Sequence, residues 1–170
     1  MSEGIAVMLT RTENASKLYL EDFAAGQIFR SASLRVDTAE IKGFATQYDP
    51  QPFHLDDTAA KATLFGGLAA SGWHTAALTM RLLVDGGAPI AGGIIGAGTE
   101  ELRWPRPVRP GDELRVESEV LEVRPSRSRP QQGLVKMRTT TLNQNGEAVQ
   151  VMVANLLVPR RPAATGSSRS

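Results

Sequence analysis

The 170-residue chain contains no cysteine and only two histidines, His54 and His74. The absence of cysteine excludes disulfides, thiolate nucleophiles and cysteine metal ligands, and it fits a reducing compartment without proving one. Two histidines also make a protein zinc site unfavourable, because such sites generally need three or four protein ligands. We therefore expect neither a metal nor a cofactor.

The chain also lacks an excess of charge of one sign and any long apolar run. The chain has 19 basic and 18 acidic residues, a formal net charge of +1, and its arginines are spread rather than gathered on one helix. This distribution does not indicate a nucleic-acid partner. No apolar run approaches the roughly 20 residues of a membrane span, and no early basic region precedes a long apolar core. We expect no membrane partner and a cytoplasmic location.

The overall composition suits one folded domain. Apolar residues make up 41% of the chain and charged residues 22%. A chain of this length can bury about 70% of its unfolded surface around a single core. We predict one domain over residues 17–159, between flexible ends at 1–16 and 160–170.

The periodicity predicts an antiparallel sheet with helices. Strands are predicted over 28–37, 92–104, 112–123, 133–143 and 147–158, and helices over 37–48 and 71–84. Apolar Leu114, Val116 and Val120 alternate with charged residues, which is typical of a strand with one solvent-exposed face. Asn145-Gly146 predicts a hairpin turn, and the apolar stretch 151–154 favours a central or covered last strand. The expected fold is α+β, with the sheet wrapped around one long helix.

That long helix carries an apolar repeat and ends at Gly86-Gly87. Its apolar residues recur at helical spacing: Trp73, Ala76, Ala77, Met80, Leu83 and Val84. The repeat predicts that this face of the helix packs against the sheet.

An acid and a base stand five residues apart in the segment Tyr48-Asp49-Pro50-Gln51-Pro52-Phe53-His54. Asp37 can cap the preceding helix with Glu40 at its third position, and Pro50 ends that helix at Asp49. The chain is then expected to run extended through Pro52 and to present His54 from a stiff loop. A further short helix is expected to begin at Asp56 or Asp57.

Asp49 is thus expected at the carboxyl end of a helix, where unpaired carbonyls disfavour ionisation and tend to raise the carboxyl pKa. A carboxylate with a raised pKa beside an imidazole can act as a general base near neutral pH. The alternative is a helix-end cap followed by an ordinary loop histidine. Spacing alone does not choose between these interpretations.

The segment resembles the Gly-Asp-x-Asn-Pro-apolar-His signature of MaoC-like (R)-specific enoyl-CoA hydratases and dehydratases, with Tyr48 in place of glycine and Gln51 in place of asparagine. Residues 65–72, Phe-Gly-Gly-Leu-Ala-Ala-Ser-Gly, are similar to the family's entry to its central helix, with Ser71 in place of a histidine. Residues 102–112 are similar to its Phe-x-x-Pro-Val-x-x-Gly-Asp strand entry. The resemblance covers roughly residues 18–158.

The resemblance implies a hot-dog fold, a homodimer with the active site at the interface, and reversible hydration of a trans-2-enoyl-CoA thioester. It implies that Asp49 and His54 are catalytic and that the backbone N–H of Gly72 stabilises the thioester oxygen. Ser71 is expected first as a helix cap and second as a substrate contact. For Gly72, a close contact between helix and sheet is the alternative.

Several questions stay open at this level. A hot-dog thioesterase and a noncatalytic acyl-thioester-binding protein are the alternative functions, although 64–84 lacks the carboxylate that such thioesterases often use. His74 is expected to be packed rather than catalytic. Two roles, contact with coenzyme A phosphates or simple solvation, are open for the Arg-rich loop 124–130 and for Arg103, Arg106 and Arg109. Two roles, lining an acyl tunnel or packing in the core, are likewise open for Trp104 and Phe53. Acyl length and the choice between coenzyme A and an acyl-carrier protein are not predicted.

Overall fold

The sheet contains six antiparallel strands in a computed structural model that describes residues 16–163. The strands are β1 (Ile28–Arg30), β2 (Leu34–Arg35), β3 (Ile95–Arg103), β4 (Glu113–Pro125), β5 (Gln132–Leu142) and β6 (Ala148–Pro159). The helices are α1 (Thr38–Tyr48), α2 (Pro52–Leu55), α3 (Asp57–Lys61) and α4 (Gly72–Gly86), and a 3-10 turn spans Leu20–Asp22. This arrangement confirms the predicted α+β class.

The strand order is β1-β4-β5-β6-β3, with the short β2 also paired to β4. Strands β4, β5 and β6 follow one another as hairpins. Within residues 16–163, β3 pairs only with β6 and forms an edge of the sheet. The last strand is therefore internal, as its two apolar faces predict. The Asn145-Gly146 turn before it is also confirmed: Gly146 has φ of 74° and its N–H donates to the carbonyl of Asn143 at 3.0 Å.

The alternation predicted for β4 matches its burial. Leu114, Val116 and Val120 are fully buried, while the neighbouring charged side chains are at least partly exposed. Leu114 and Val116 pack with Leu82 and Leu83 of α4 in one core cluster. The core therefore lies between α4 and one face of the sheet.

Helix α1 begins as the sequence predicts. The Glu40 N–H donates to Oδ1 of Asp37 at 2.7 Å, and the Asp37 N–H donates back to Oε2 of Glu40 at 3.3 Å, which forms a reciprocal capping box. The helix ends at Tyr48 with Asp49 as its C-cap. Asp56 caps α3, one of the two positions expected for that role.

Two local predictions are wrong. The strand expected over 28–37 divides into β1 and β2, each paired with a different part of β4. His54 lies in the one-turn helix α2 rather than in an extended loop, because Pro52 takes the first helical position, where a missing N–H costs nothing.

The face of α4 that packs on the sheet agrees with the prediction at Leu83, which is buried, but differs at the larger residues of the predicted stripe. Trp73, Met80 and Val84 are 61%, 43% and 65% exposed. The buried side chains of α4 are His74, Thr75, Thr79, Leu82 and Leu83. The threonine hydroxyls bond to backbone or side-chain oxygens, so polar residues can occupy the inner face. An apolar stripe is left on the outer face of α4.

The described chain continues beyond the predicted domain end at residue 159. The N–H of Arg160 donates to the carbonyl of Gln131 at 2.7 Å, and its guanidinium lies 3.0 Å from Glu21. Arg161 pairs with Asp22 at 2.6 Å. Most of the predicted flexible ends, residues 1–15 and 164–170, lie outside the described residues. None of the helices within 16–163 is long and apolar enough to cross a membrane.

Candidate active site

Asp49 and His54 are in direct contact. Nε2 of His54 lies 3.3 Å from Oδ2 of Asp49, and their side chains are only 6% and 17% exposed. The end of α1 and the single turn of α2 bring the two together across the intervening prolines. The structure thus pairs the acid and the base that the sequence pattern singles out.

Gln51 and the backbone orient the Asp49 carboxylate. The N–H of Asp49 donates to the carbonyl of Ala45 at 2.9 Å, and the Gln51 N–H donates to the carbonyl of Asp49 at 2.7 Å. The side-chain amide of Gln51 donates to Oδ1 of Asp49 at 2.6 Å. Because Oδ1 is occupied by this amide, Oδ2 is the oxygen that faces His54.

The carbonyl of Ala69 sets the protonation of the His54 ring. Nδ1 of His54 lies 2.7 Å from this oxygen, which can only accept, so Nδ1 carries a proton. Nε2 is left as the nitrogen that can exchange a proton. The ring of Phe53 meets the imidazole edge-on at 4.6 Å and Phe65 lies on another side at 5.9 Å, so the ring is held by packing as well.

The expected rise in the Asp49 pKa is wrong. Burial acts to raise the pKa, but hydrogen bonding from Ser71 and Gln51 and the charge of His54 together hold it below its ordinary value. The groups that stabilise the charged carboxylate therefore lower the Asp49 pKa by more than burial and the helix end raise it. The carboxylate is ionised throughout the neutral range.

Arg109 clamps the loop that supplies the Ala69 carbonyl. Its guanidinium donates to the carbonyls of Gly67 at 2.8 Å and Leu68 at 3.2 Å, and also to the carbonyl of Phe65. These three bonds engage the guanidinium inside the protein. Arg109 is therefore a support for the 65–69 loop.

Gly72 is the first residue of α4, and Ser71 is its N-cap. The Ser71 hydroxyl, which is fully buried, accepts from the Trp73 N–H at 3.2 Å and so confirms the predicted cap. Among residues 16–163 the Gly72 N–H has no hydrogen-bond acceptor. An added Cβ at Gly72 would lie 2.7 Å from the indole of Trp104, so the close contact expected as the alternative also exists.

A pocket of about 340 Å³ lies beside His54 and the start of α4, and Asp49 is not among its lining residues. His54, Gly72 and Trp104 line it, together with Leu64 and Arg106. His54 and the first residue of α4 therefore line one space. This arrangement can hold a polar substrate group at the helix N-terminus beside an acid–base pair.

Comparison with known proteins identifies the family. The family described as MaoC like domain matches residues 22–143. The chain belongs to the MaoC-like dehydratase family. It is 33% identical to the 3-hydroxybutyryl-CoA dehydratase of Methylorubrum extorquens over 113 residues, which cover 66% of this chain and 69% of that protein.

Two solved structures show the same fold. A MaoC-like dehydratase from Rhodospirillum rubrum has 62% identity and a TM-score of 0.84, covering 86% of this chain and 99% of that chain. The (R)-hydratase PhaJ1 of Pseudomonas aeruginosa has 29% identity and a TM-score of 0.68, covering 91% and 96%. The antiparallel sheet and central α4 are those of the hot-dog fold.

His74 is packed away from the pocket of this MaoC-like protein. Its ring stacks on Phe44 of α1 at 4.8 Å with planes 10° apart, and the side chain is buried. Burial lowers the His74 pKa, although the charge of Glu40 acts in the opposite direction. Within the described chain, its buried Nδ1 has no hydrogen-bond partner. The expected packing role is confirmed.

The other arginines named from the sequence take separate places. Arg103 pairs with Glu101, and Arg106 lies at the pocket with its Nε 3.5 Å from Glu147. The Arg-rich loop 124–130 lines a separate cavity that includes neither His54 nor Gly72. No cluster of three or more His, Cys, Asp or Glu side chains that could hold a metal ion occurs among the residues that the structure describes.

Sequence reasoning missed Gln150. This side chain is fully buried in β6 and accepts from the indole N–H of Trp104 at 2.8 Å. Its signal in the sequence is a lone amide within an otherwise apolar run at 148–154. Buried amides generally have hydrogen-bond partners, but the pattern does not say which ones.

Proposed function

We propose that this MaoC-like protein catalyses the reversible hydration of a trans-2-enoyl-CoA to a (3R)-3-hydroxyacyl-CoA. The observation that carries the proposal is the 3.3 Å contact between Asp49 and His54, with His54 and Gly72 lining one pocket. The dehydratase and the (R)-hydratase to which the chain is similar support this reaction class. The same site serves both directions.

The acid–base pair can hold and deprotonate the water. A water molecule beside the pair donates one hydrogen bond to Oδ2 of Asp49 and one to Nε2 of His54. Because the Asp49 pKa is held below its ordinary value, Asp49 is the weaker base, and we assign the proton to Nε2. Asp49 then orients the water and stabilises the imidazolium.

The bond changes follow from that placement. The water oxygen attacks C3, the C2–C3 π electrons move toward the thioester carbonyl, and the proton held on Nε2 passes to C2 on the same face. The negative charge that develops on the thioester oxygen needs a donor. The Gly72 N–H takes this role because it lacks an acceptor among residues 16–163 and lies at the positive end of α4.

Two of the departures from the family signature are compatible with this chemistry. Gln51 carries one methylene more than asparagine, yet its amide reaches Oδ1 of Asp49 while Oδ2 stays in contact with His54. Ser71 replaces a histidine, and its hydroxyl helps to hold the Asp49 pKa below its ordinary value. These contacts favour a catalytic protein over a noncatalytic acyl-thioester binder.

A homodimer is part of the proposal. The edge strand β3 has exposed side chains over most of its length, and Trp73, Met80 and Val84 form an apolar stripe on α4. A long unpaired edge beside exposed apolar residues is unfavourable in a free monomer. A second copy that pairs antiparallel with β3 would cover both features and bring its own surface close to the pocket.

A thioesterase finds less support in the arrangement. Helix α4 has no carboxylate near Gly72, and its only acid, Asp85, lies near the far end in an ion pair with Arg81. The pair of Asp49 and His54 could still activate water toward a thioester carbonyl. Release of free thiol without loss of the enoyl group would indicate that reaction.

The test is the loss of enoyl-thioester absorbance with crotonyl-CoA and longer or branched enoyl-CoAs. We expect Asp49→Asn and His54→Ala to lower kcat by about 100-fold or more, the range typical of a lost acid–base group. Asp85→Asn makes the same chemical change outside the pocket and should retain parental activity. Parental rates in both site variants would disprove the acid–base assignment.

A further inference from the structure

Trp104 forms a wall against the oxyanion position. It follows β3, and its indole lies so close to Gly72 that a Cβ there would come within 2.7 Å of Cδ2 and Cε2. The same indole lines the pocket with His54. Any movement of Trp104 would therefore change both the packing around the Gly72 N–H and the shape of the pocket.

A buried amide accepts a hydrogen bond from this indole, which also meets the ring of Trp73 edge-on at 5.3 Å. The indole N–H donates to Oε1 of Gln150 at 2.8 Å. Because an indole nitrogen can only donate, the Gln150 oxygen must face Trp104 and its nitrogen must point the other way. The orientation of the amide is thus determined by its partner.

The nitrogen of Gln150 reaches back to α4. Nε2 donates to Oγ1 of Thr79 at 3.1 Å. That hydroxyl lies 2.6 Å from Oγ1 of Thr141 and donates to the carbonyl of Thr75 at 2.9 Å. The Thr79 hydroxyl thus donates its one hydrogen to Thr75 and accepts from both Gln150 and Thr141, so its hydrogen and both lone pairs are used. The amide therefore connects Trp104 to α4 through a chain of buried hydrogen bonds.

We propose that Gln150 is a positioning residue that holds Trp104 against Gly72 and thereby fixes the direction of the Gly72 N–H. Its effect on catalysis rests on the proposed hydratase function, but its effect on geometry does not. A displacement of about 1 Å at a catalytic group can lower a rate on the order of 100-fold. Gln150 itself is not expected to touch the substrate.

The substitution that tests this is Gln150→Met, which keeps the length of the side chain and removes both hydrogen-bonding groups. Gln131→Met makes the same change at an exposed position and is the matched control. We would record the indole N–H resonances of the two tryptophans and the backbone amide resonance of Gly72 by nitrogen-15 NMR. The proposal predicts that the Trp104 indole and Gly72 resonances both shift in Gln150→Met, with neither shifting in Gln131→Met.

The catalytic part uses crotonyl-CoA as the probe. We expect Gln150→Met to lower kcat about tenfold or more, within the range for a misplaced catalytic group, with less than a threefold change in KM. Trp104→Phe removes the indole N–H that donates to Gln150. If Gln150 acts through Trp104, Gln150→Met should lower kcat by a clearly smaller factor in the Trp104→Phe background than in the parent protein. If Gln150 had only a structural role, the two substitutions would lower kcat by independent factors, and each fall in kcat would be accompanied by a loss of stability.

The outcomes separate the two proposals. A shifted Trp104 indole with an unmoved Gly72 amide would overturn the positioning role, as would unchanged kcat in an active parent. If the parent hydrates none of the enoyl-CoAs, the proposed function fails, and the Gly72 resonance alone decides whether Gln150 positions the helix N-terminus.

Discussion

Nδ1 of His54 lies 2.7 Å from the carbonyl oxygen of Ala69, so one backbone atom determines which imidazole nitrogen faces Asp49. The position of Ala69 depends in turn on the loop before it. Arg109 holds that loop through the carbonyls of Gly67 and Leu68. Arg109 thus supports the loop that carries the Ala69 carbonyl without touching His54 itself.

Replacement of Arg109 by lysine should lower both stability and activity. Lysine keeps the charge but has no planar fork to bind several carbonyls at once, so buried carbonyls lose their donors. We expect the free energy of unfolding in urea to fall by about 1–3 kcal/mol, together with a lower kcat. Arg103→Lys is the control, since Arg103 is exposed and its one ion pair in the described part of the chain is with Glu101. Equal stabilities for the two variants would contradict the clamp.

Replacement of Ser71 by alanine should act on both the helix and the carboxylate. Loss of the cap is expected to reduce stability by about 1 kcal/mol. Loss of the hydrogen bond to Asp49 should move the carboxyl pKa up toward its ordinary value. Ser128→Ala, at an exposed loop position, is the control. The measurement is the free energy of unfolding across the acid range.

The sign of that pH effect follows from the lowered Asp49 pKa. A carboxyl with a depressed native pKa stabilises the fold above its unfolded pKa of about 3.9, and this contribution is lost as pH falls through the native value. The difference in stability between the parent and Ser71→Ala should therefore shrink on acidification below about pH 4. A constant difference would show that the Ser71 hydroxyl does not act on Asp49.

His74 should make stability depend on pH in a higher range. Its pKa is lowered by burial, so the unfolded chain binds a proton more readily than the native one. The contribution of the neutral ring is fully present above the unfolded pKa of about 6.5 and is lost as pH falls below it. His74→Phe, which retains a ring to stack on Phe44, should flatten the stability profile between about pH 7.5 and pH 5. An unchanged slope would exclude His74 as its source.

Local signals account for the features that the sequence predicted correctly. The capping box of Asp37 and Glu40 and the Asn145-Gly146 turn depend on neighbouring residues alone, so their chemistry can be recognised in the sequence. The contact between Asp49 and His54 is also short in sequence, and the family resemblance singled it out.

The errors concern interactions between distant segments. The Asp49 pKa depends on Ser71, which lies 22 residues further along the chain, and the helix end alone suggests the opposite direction. Arg109 binds carbonyls more than 40 residues away, which no periodicity reveals. The outer face of α4 was predicted to be buried because apolar spacing alone does not distinguish a core-facing residue from an exposed one.

That outer face leads to a prediction about assembly. If the stripe on α4 and the edge of β3 meet a second copy, a charge placed in the stripe must be desolvated at the interface. We expect Val84→Asp to convert a dimer into a monomer or to weaken it by at least tenfold in sedimentation equilibrium. Ile28→Asp is the matched control, because Ile28 is also exposed but lies on β1 at the opposite edge of the sheet.

The same variant tests whether the pocket needs the second copy. If the interface completes the site, Val84→Asp should lose activity in proportion to the dimer that it loses, and activity per chain should rise with protein concentration. A folded monomer with parental activity would show that one chain contains the whole site. If the Val84→Asp protein remains dimeric, the dimer interface does not lie on this face of α4.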